Sequence, residues 1–223
     1  VSRKEWKLLN KTVSIPSLSS LISLCVICLT TIAKAEDVEP PEWVFSEEDI
    51  EAEVANWGLT QVTVMIDEVE DPQGSKRTVL ITNPIGDDPM LYPVFEPFKG
   101  EGHDILYLGV RVEKPSHWEF YYTTPRAPDL GPNRVTFDID GSPDFQDLEI
   151  KITTPAWVAG EIDRIRLDPG DFREGRALGK VGEKIPAEIT YISFRGKPEG
   201  FAPKAVCAKA KLATAWGAIK HRS

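Results

Sequence analysis

Two stretches of the chain carry side chains of the kind that hold a sugar. Tyr107 and Arg111 fall on one parity of an alternating run, Ile105 to Glu113, and Arg164, Arg166 and Asp168 share one parity of another, Trp157 to Gly170. Trp118 and Tyr121 lie between them in the aromatic run His117 to Thr124. A sugar ring offers a flat apolar face edged with hydroxyls, so its binding surface needs exposed rings for stacking and planar charged groups for paired hydrogen bonds. Tyr107, Arg111, Trp118, Tyr121 and Arg166 are therefore the candidate ligand-binding residues. The competing reading is structural: Tyr and Trp of a sheet are commonly core, and Arg166 can simply pair with Asp168. An open shelf of Tyr107, Tyr121 and Trp118 beside Arg111 and Arg166 would favour sugar binding; burial of all three rings would favour a protein-interaction module.

Catalysis and metal binding find less support. A retaining glycosidase needs two carboxylates about 5 Å apart. Glu161 and Asp163 alternate on one stretch, but Ile165 and Arg166 follow where a second Glu would have to supply the proton. Asp138, Asp140, Asp144 and Asp147 cluster around Gly141, and Asp67, Glu68, Glu70 and Asp71 form a second acidic run. Calcium takes about six to eight oxygens of this kind. The spacing is not that of a helix-loop-helix calcium loop, so no cofactor is assigned, and a structural calcium stays open without a position. Asp140-Gly141 reads more simply as a hairpin turn. The sequence has no nucleophile elbow, no His-Glu-x-x-His and no phosphate loop. His103 and His117, flanked by Gly or Pro and charged residues, read as exposed loop residues.

The elements that must position these groups are strands. Gln61 to Asp67 and Arg77 to Asn83 are β-branched runs joined by the polar loop Asp71 to Ser75, a hairpin pattern. Met90 to Val94 is a shorter extended piece. Leu106, Leu108, Val110 and Val112 share one face of the next strand, with Tyr107 and Arg111 on the other. Val135, Phe137 and Ile139, and then Leu148, Ile150 and Ile152, repeat the alternation. Ile165 and Leu167 point inward on the strand that ends at Asp168-Pro169-Gly170, with Trp157 plugging the core just before it, and Ala187 to Phe194 closes the fold. A helix start at Ser46, with Asp49 three residues on, predicts one or two turns. Many short strands without alternating helices predict an all-β fold, an antiparallel β-sandwich.

The ends have a different composition. Arg3, Lys4, Lys7 and Lys11 precede an apolar run from Leu18 to Ile32, and Ala33-Lys34-Ala35 fits a small-x-small cleavage site. Residues 1–35 are read as a secretory signal peptide, residues 36–42 as a linker, 43–196 as the domain and 197–223 as a linker and C-terminal tail. Membrane contact is expected only through the leader, if it is kept as an anchor. Its removal takes five of the 26 basic residues and one of the 35 acidic ones, leaving a net charge of −13. Such a surface repels phosphate backbones and excludes nucleic acid as a partner. Only Cys207 would then remain, so no internal disulfide is available. A secreted bacterial protein, extracellular or periplasmic, fits this usage.

The segments Tyr-Leu-Gly-Val-Arg-Val (107 to 112), Phe-Tyr-Tyr-Thr-Thr (120 to 124), Arg-Val-Thr-Phe-Asp-Ile-Asp-Gly (134 to 141), Pro-Ala-Trp-Val-Ala-Gly (155 to 160), Ile-Asp-Arg-Ile-Arg-Leu-Asp-Pro (162 to 169) and Ile-Thr-Tyr-Ile-Ser-Phe (189 to 194) occur in an order that resembles the galactose-binding-like jelly-roll modules. These are found in secreted bacterial proteins, often beside glycan-degrading enzymes. The resemblance implies a jelly roll over Trp43 to Phe194 and an extracellular glycan or polysaccharide as partner. Thr190 departs from it, standing where such modules commonly have Asp. Glu161-Ile162-Asp163 resembles the start of the catalytic motif of laminarinase-type endoglucanases, without its last Glu. The expectation is a non-catalytic carbohydrate-binding module, with a cell-envelope structural or protein-interaction module as the alternative.

Overall fold

β-Branched and aromatic runs of alternating polarity pair into two antiparallel sheets, seen in a computed structural model that describes residues 37–170 and 184–200. The expected signal peptide and most of the expected tail, with Cys207, lie outside the described residues. In chain order the strands are β1 (Glu42–Val44), β2 (Gly58–Thr60), β3 (Val62–Glu70), β4 (Lys76–Pro84), β5 (Met90–Tyr92), β6 (Phe98–Lys99), β7 (Ile105–Val112), β8 (Ser116–Thr123), β9 (Arg134–Ile139), β10 (Gln146–Lys151), β11 (Glu161–Ile162), β12 (Arg164–Asp168) and β13 (Ala187–Ser193). Two short helices, α1 (Ile50–Val54) and α2 (Pro155–Val158), interrupt them. One sheet runs β10-β7-β13-β4-β3, with β1 also paired to β13; the other runs β2-β5-β12-β8-β9. A two-stranded piece, β6 with β11, completes the set. The all-β antiparallel sandwich expected from the alternation is the architecture observed.

Burial follows the period-2 pattern. Leu106, Leu108, Val110 and Val112 of β7 face Trp118, Phe120 and Tyr122 of β8 and Ile165 and Leu167 of β12 in one core. Trp157 is fully buried, with ring centroids 5.8 Å from Phe98, 5.8 Å from Phe120, 4.9 Å from Tyr122 and 5.4 Å from Phe194. Its indole Nε1 donates to the His103 carbonyl at 3.0 Å. Gly100 is forced by this ring's helix: a Cβ there would stand 2.1 Å from the Trp157 carbonyl oxygen. Helix α1 begins at Ile50 with Asp49 as its N-cap, four residues beyond Ser46, because Ile50 and Val54, one turn apart, are the residues that reach the core.

β13 has two neighbours along one edge: β4 pairs with Ala187 to Ile189, and β1 with Tyr191 to Ser193. Against β7 on its other edge the register shifts between Ile189 and Tyr191, a bulge at Thr190. Thr190 is buried, and its carbonyl accepts from Phe45 N–H at 3.1 Å. Opposite the bulge a Cβ on Gly109 would meet Thr190 Oγ1 at 2.2 Å. The departure at Thr190 thus marks a packed bend. Two further differences stand out. Asp140-Gly141 does not close a hairpin: β9 pairs with β8 and β10 with β7, so residues 140–145 cross between sheets. The Pro40-Pro41 part of the expected linker is buried, held by Arg195 Nε to the Pro40 carbonyl at 2.6 Å and by Phe194 N–H to the Pro41 carbonyl at 3.1 Å.

Because Trp157 contacts rings from β6, from β8 and from Phe194 just after β13, Trp157→Ala is expected to lower unfolding free energy by about 3 to 5 kcal/mol, read from urea denaturation followed by circular dichroism. A loss below about 1 kcal/mol would show that the cluster collapses around the gap.

Candidate functional site

The outward side of the larger sheet carries one of the two expected pairs. Register places Glu188 of β13 directly between Arg111 of β7 and Ile81 of β4. Arg111 donates through Nε to the Glu188 carboxylate and through Nη1 to the Glu70 carbonyl at 3.1 Å. Its guanidinium lies 4.6 Å from the centre of the Phe145 ring, with that of Arg77 at 5.3 Å from the same ring. Over this floor opens a groove of about 670 Å³, lined by Glu70 at the end of β3, Asp71 and Pro72 from the β3–β4 turn, Glu113 from the β7–β8 connection, Ser142 and Pro143 from the sheet crossing, and Pro186 just before β13. The turn is fixed by Asp71, whose Oδ1 accepts from the N–H groups of Ser75 (2.8 Å) and Gln73 (3.0 Å). The Ser75 N–H foremost, then those of Gln73 and the Arg77 charge, outweigh burial and hold the Asp71 carboxyl below its ordinary range.

The other pair lies on the outward side of the smaller sheet. Arg166 of β12 grips Asp168 with Nε at 2.6 Å and with Nη2, reaches Asp88 at 3.3 Å, and lies 4.6 Å from the centre of the Tyr121 ring. Tyr121 donates its hydroxyl to Glu119 at 2.6 Å, and Arg134 donates to the same carboxylate at 3.1 Å. Glu119 and Asp168 are direct cross-strand neighbours, and both side chains are fully buried. Burial pushes the Asp168 carboxyl up to about 6, against the pull of Arg166. The Arg166 charge is held above its ordinary range by Asp168, although burial opposes it.

The five residues expected to form one shelf are therefore dispersed. Tyr107 and Arg111 face out from one sheet, Tyr121 and Arg166 from the other, and Trp118 faces neither way. Trp118 belongs to the core at 1% exposure, with Nε1 bonded to Ser116 Oγ at 2.9 Å, because β8 turns Trp118, Phe120 and Tyr122 inward together. Tyr121 is buried under Arg166, and Tyr107 is half-buried outside the groove lining. Arg166 and Asp168 pair with each other, as the structural reading allowed. Sequence reasoning missed Glu188, Phe145 and the three prolines. Glu188 could have been found by its parity on the last strand, but its meeting with Arg111 depends on a strand order that no local pattern reveals.

The acidic groups are engaged separately. Asp163 accepts from Thr123 Oγ1 at 2.5 Å, while Glu161 is exposed on β11. Asp138 meets His117 at 2.7 Å, Asp144 accepts from Gln73 at 2.9 Å, and Asp147 accepts from Tyr191 at 2.8 Å. His117 is thus a strand residue of β8, not a loop residue. Among the described residues no group of three or more His, Cys, Asp and Glu side chains is arranged to hold a metal ion.

No protein-family model matches the sequence, and no curated protein matches it. Among solved structures the chain is similar to an exo-beta-agarase, at 10% identity and TM-score 0.46 over 65% of this chain and 23% of that one, so it spans about a quarter of the agarase. It is similar to the family 11 carbohydrate-binding module of the cellulosomal cellulase Lic26A-Cel5E of Clostridium thermocellum, at 10% identity and TM-score 0.43 over 70% of this chain and 94% of that one. It is also similar to CBM29_1, a family 29 carbohydrate-binding module from Piromyces equi, at 16% identity and TM-score 0.36 over 70% and 89%. Carbohydrate-binding modules are the kind of domain to which the sequence resemblance pointed.

A raised carboxyl makes the folded state bind a proton that the unfolded chain releases. Between the ordinary Asp value of 3.8 and the folded value of about 6, Asp168 therefore costs stability as pH rises, with no further change above that window. From pH 4 to pH 7 wild type should lose up to about 3 kcal/mol relative to Asp168→Asn, measured by urea unfolding at each pH. Carbon-detected NMR of the Asp168 carboxyl should show a midpoint near 6; a midpoint below 4 would mean that Arg166 dominates.

Proposed function

We propose that the protein is a secreted, non-catalytic glycan-binding module whose ligand lies in the groove across the larger sheet. The observation that carries this reading is the make-up of that groove: the rings of Pro72, Pro143 and Pro186 supply apolar walls, and the Arg111–Glu188 pair, with Ile81 beside it, supplies the floor. A sugar ring has the same division into apolar face and polar edge. Phe145 stacked beneath Arg111 fixes the guanidinium in place before any ligand arrives, which lowers the ordering cost of binding. Stacking on Trp118 or Tyr121 has no part in this reading.

Binding without turnover is supported by the state of Asp71, Glu188 and Asp168. General acid catalysis needs a carboxyl that is protonated near neutral pH and can reach the substrate. In the groove Asp71 is held ionised and Glu188 is committed to Arg111. Asp168, the acid raised toward neutrality, is fully buried and clasped by Arg166. The secreted location rests on the leader, and the bacterial extracellular or periplasmic setting on the leader together with the single remaining cysteine, Cys207. A protein-contact role in the cell envelope has no observation of its own among the described residues.

The test is a glycan array probed with the full chain, with and without calcium. Saturable binding is expected, weakened at least tenfold by Arg111→Ala and not restored by Arg111→Lys, which lacks the planar fork. Tyr107→Ala, outside the groove, should change affinity less than twofold, and no new reducing ends should form on the bound glycan. Retention of nothing on a broad array would remove this reading.

A further inference from the structure

The groove carries more negative charge than positive. Four carboxylates line it, those of Glu70, Asp71, Glu113 and Glu188, against the guanidinium of Arg111, with that of Arg77 3.6 Å from Asp71. Arg111 spends Nε on Glu188 and Nη1 on the Glu70 carbonyl. Three of the lining residues are prolines, which have no backbone N–H to offer. Glu70 and Glu113 are exposed at the two rims, and no ion pair engages either of them among the described residues. Asp71 stays ionised because the backbone of its own turn donates to it. A ligand that complements such a groove brings positive charge.

Resting on the glycan-binding reading above, we infer that this groove selects glycans bearing free amino groups, such as hexosamine polymers, over neutral and acidic ones. An ammonium on the sugar ring supplies three donors and a charge that the rim carboxylates answer, while the ring itself packs on the proline walls. A uronate or sulfate brings like charge, and the Arg111 charge is already answered by Glu188. N-acetylation removes the charge that the rim carboxylates answer.

The experiment is isothermal titration of the full chain, at a mildly acidic pH that keeps the amines charged, with three oligosaccharides of equal length. One is a β-1,4-linked glucosamine oligomer, one its N-acetylated counterpart and one a β-1,4-linked uronate oligomer. The glucosamine oligomer should bind at least tenfold more tightly than the acetylated one, and most of that preference should disappear at high salt. The double variant Glu70→Gln/Glu113→Gln should erase the preference, and Glu47→Gln/Glu48→Gln, outside the groove, should keep it. Equal or tighter binding of the acetylated or uronate oligomer overturns the inference. So does a preference that survives in Glu70→Gln/Glu113→Gln, since it would then come from the acidic surface at large. If none of the three binds while a neutral glucan does, the amino-sugar inference fails and the glycan reading stands; if no glycan binds at all, both fail.

Discussion

The indole of Trp157 is the contact on which both sheets depend. It is delivered by a one-turn helix whose first residue is Pro155, between the end of β10 and the start of β11, and reaches rings from β6, β8 and the residue after β13. Edge-to-face packing of this kind prefers definite angles, and the 89° crossing of Tyr122 on Trp157 is near the favoured perpendicular arrangement. The aromatic cluster thereby sets how far apart the sheets stand at that end. Everything outward of the sheets, including which polar groups can meet, inherits that spacing.

With the core filled by one parity of each strand, the other parity is left to make two outward faces, and the two have opposite characters. On the smaller sheet charged groups are turned on one another: Arg166, Asp168, Glu119, Arg134 and the Tyr121 ring form a locked network at the cost of removing carboxylates from water. On the larger sheet the Arg111–Glu188 pair lies in the floor of an open groove, with carboxylates left at the rims. Similar residue types therefore serve rigidity on one side and accessibility on the other. The difference comes from the loops: the β3–β4 turn and the sheet crossing stand up around Arg111 as walls.

Much of the fold was legible because its strands are long and half-buried. The nine-pair β3–β4 hairpin, the alternation of β7 and the inward Ile165 and Leu167 of β12 all follow from period 2. What escaped were two- and three-residue strands such as β2, β6 and β11, too short for a period to register, and the crossing at Asp140-Gly141, where turn chemistry is the same whether the chain folds back or changes sheets. Trp118 was misplaced for a related reason: in His-Trp-Glu-Phe-Tyr-Tyr both parities carry rings, so the buried face could not be chosen from the residues alone. For the groove, Arg111 could be singled out locally, but Glu188, 77 positions away, becomes its neighbour only through strand order.

The sharing of β13 between β4 and β1 also governs how the domain would respond to a pull. Ser193 Oγ bonds Glu42, Arg195 bonds the Pro40 carbonyl and Glu39, and β1 runs antiparallel to the end of β13. The residues before β1 and after β13 thus leave from the same end of one strand pair. Tension applied through them would load the β1–β13 hydrogen bonds one after another, in peeling rather than in shear. The first event under force would be the release of Glu42–Val44 from the sheet, with the β4 and β7 contacts of β13 still in place.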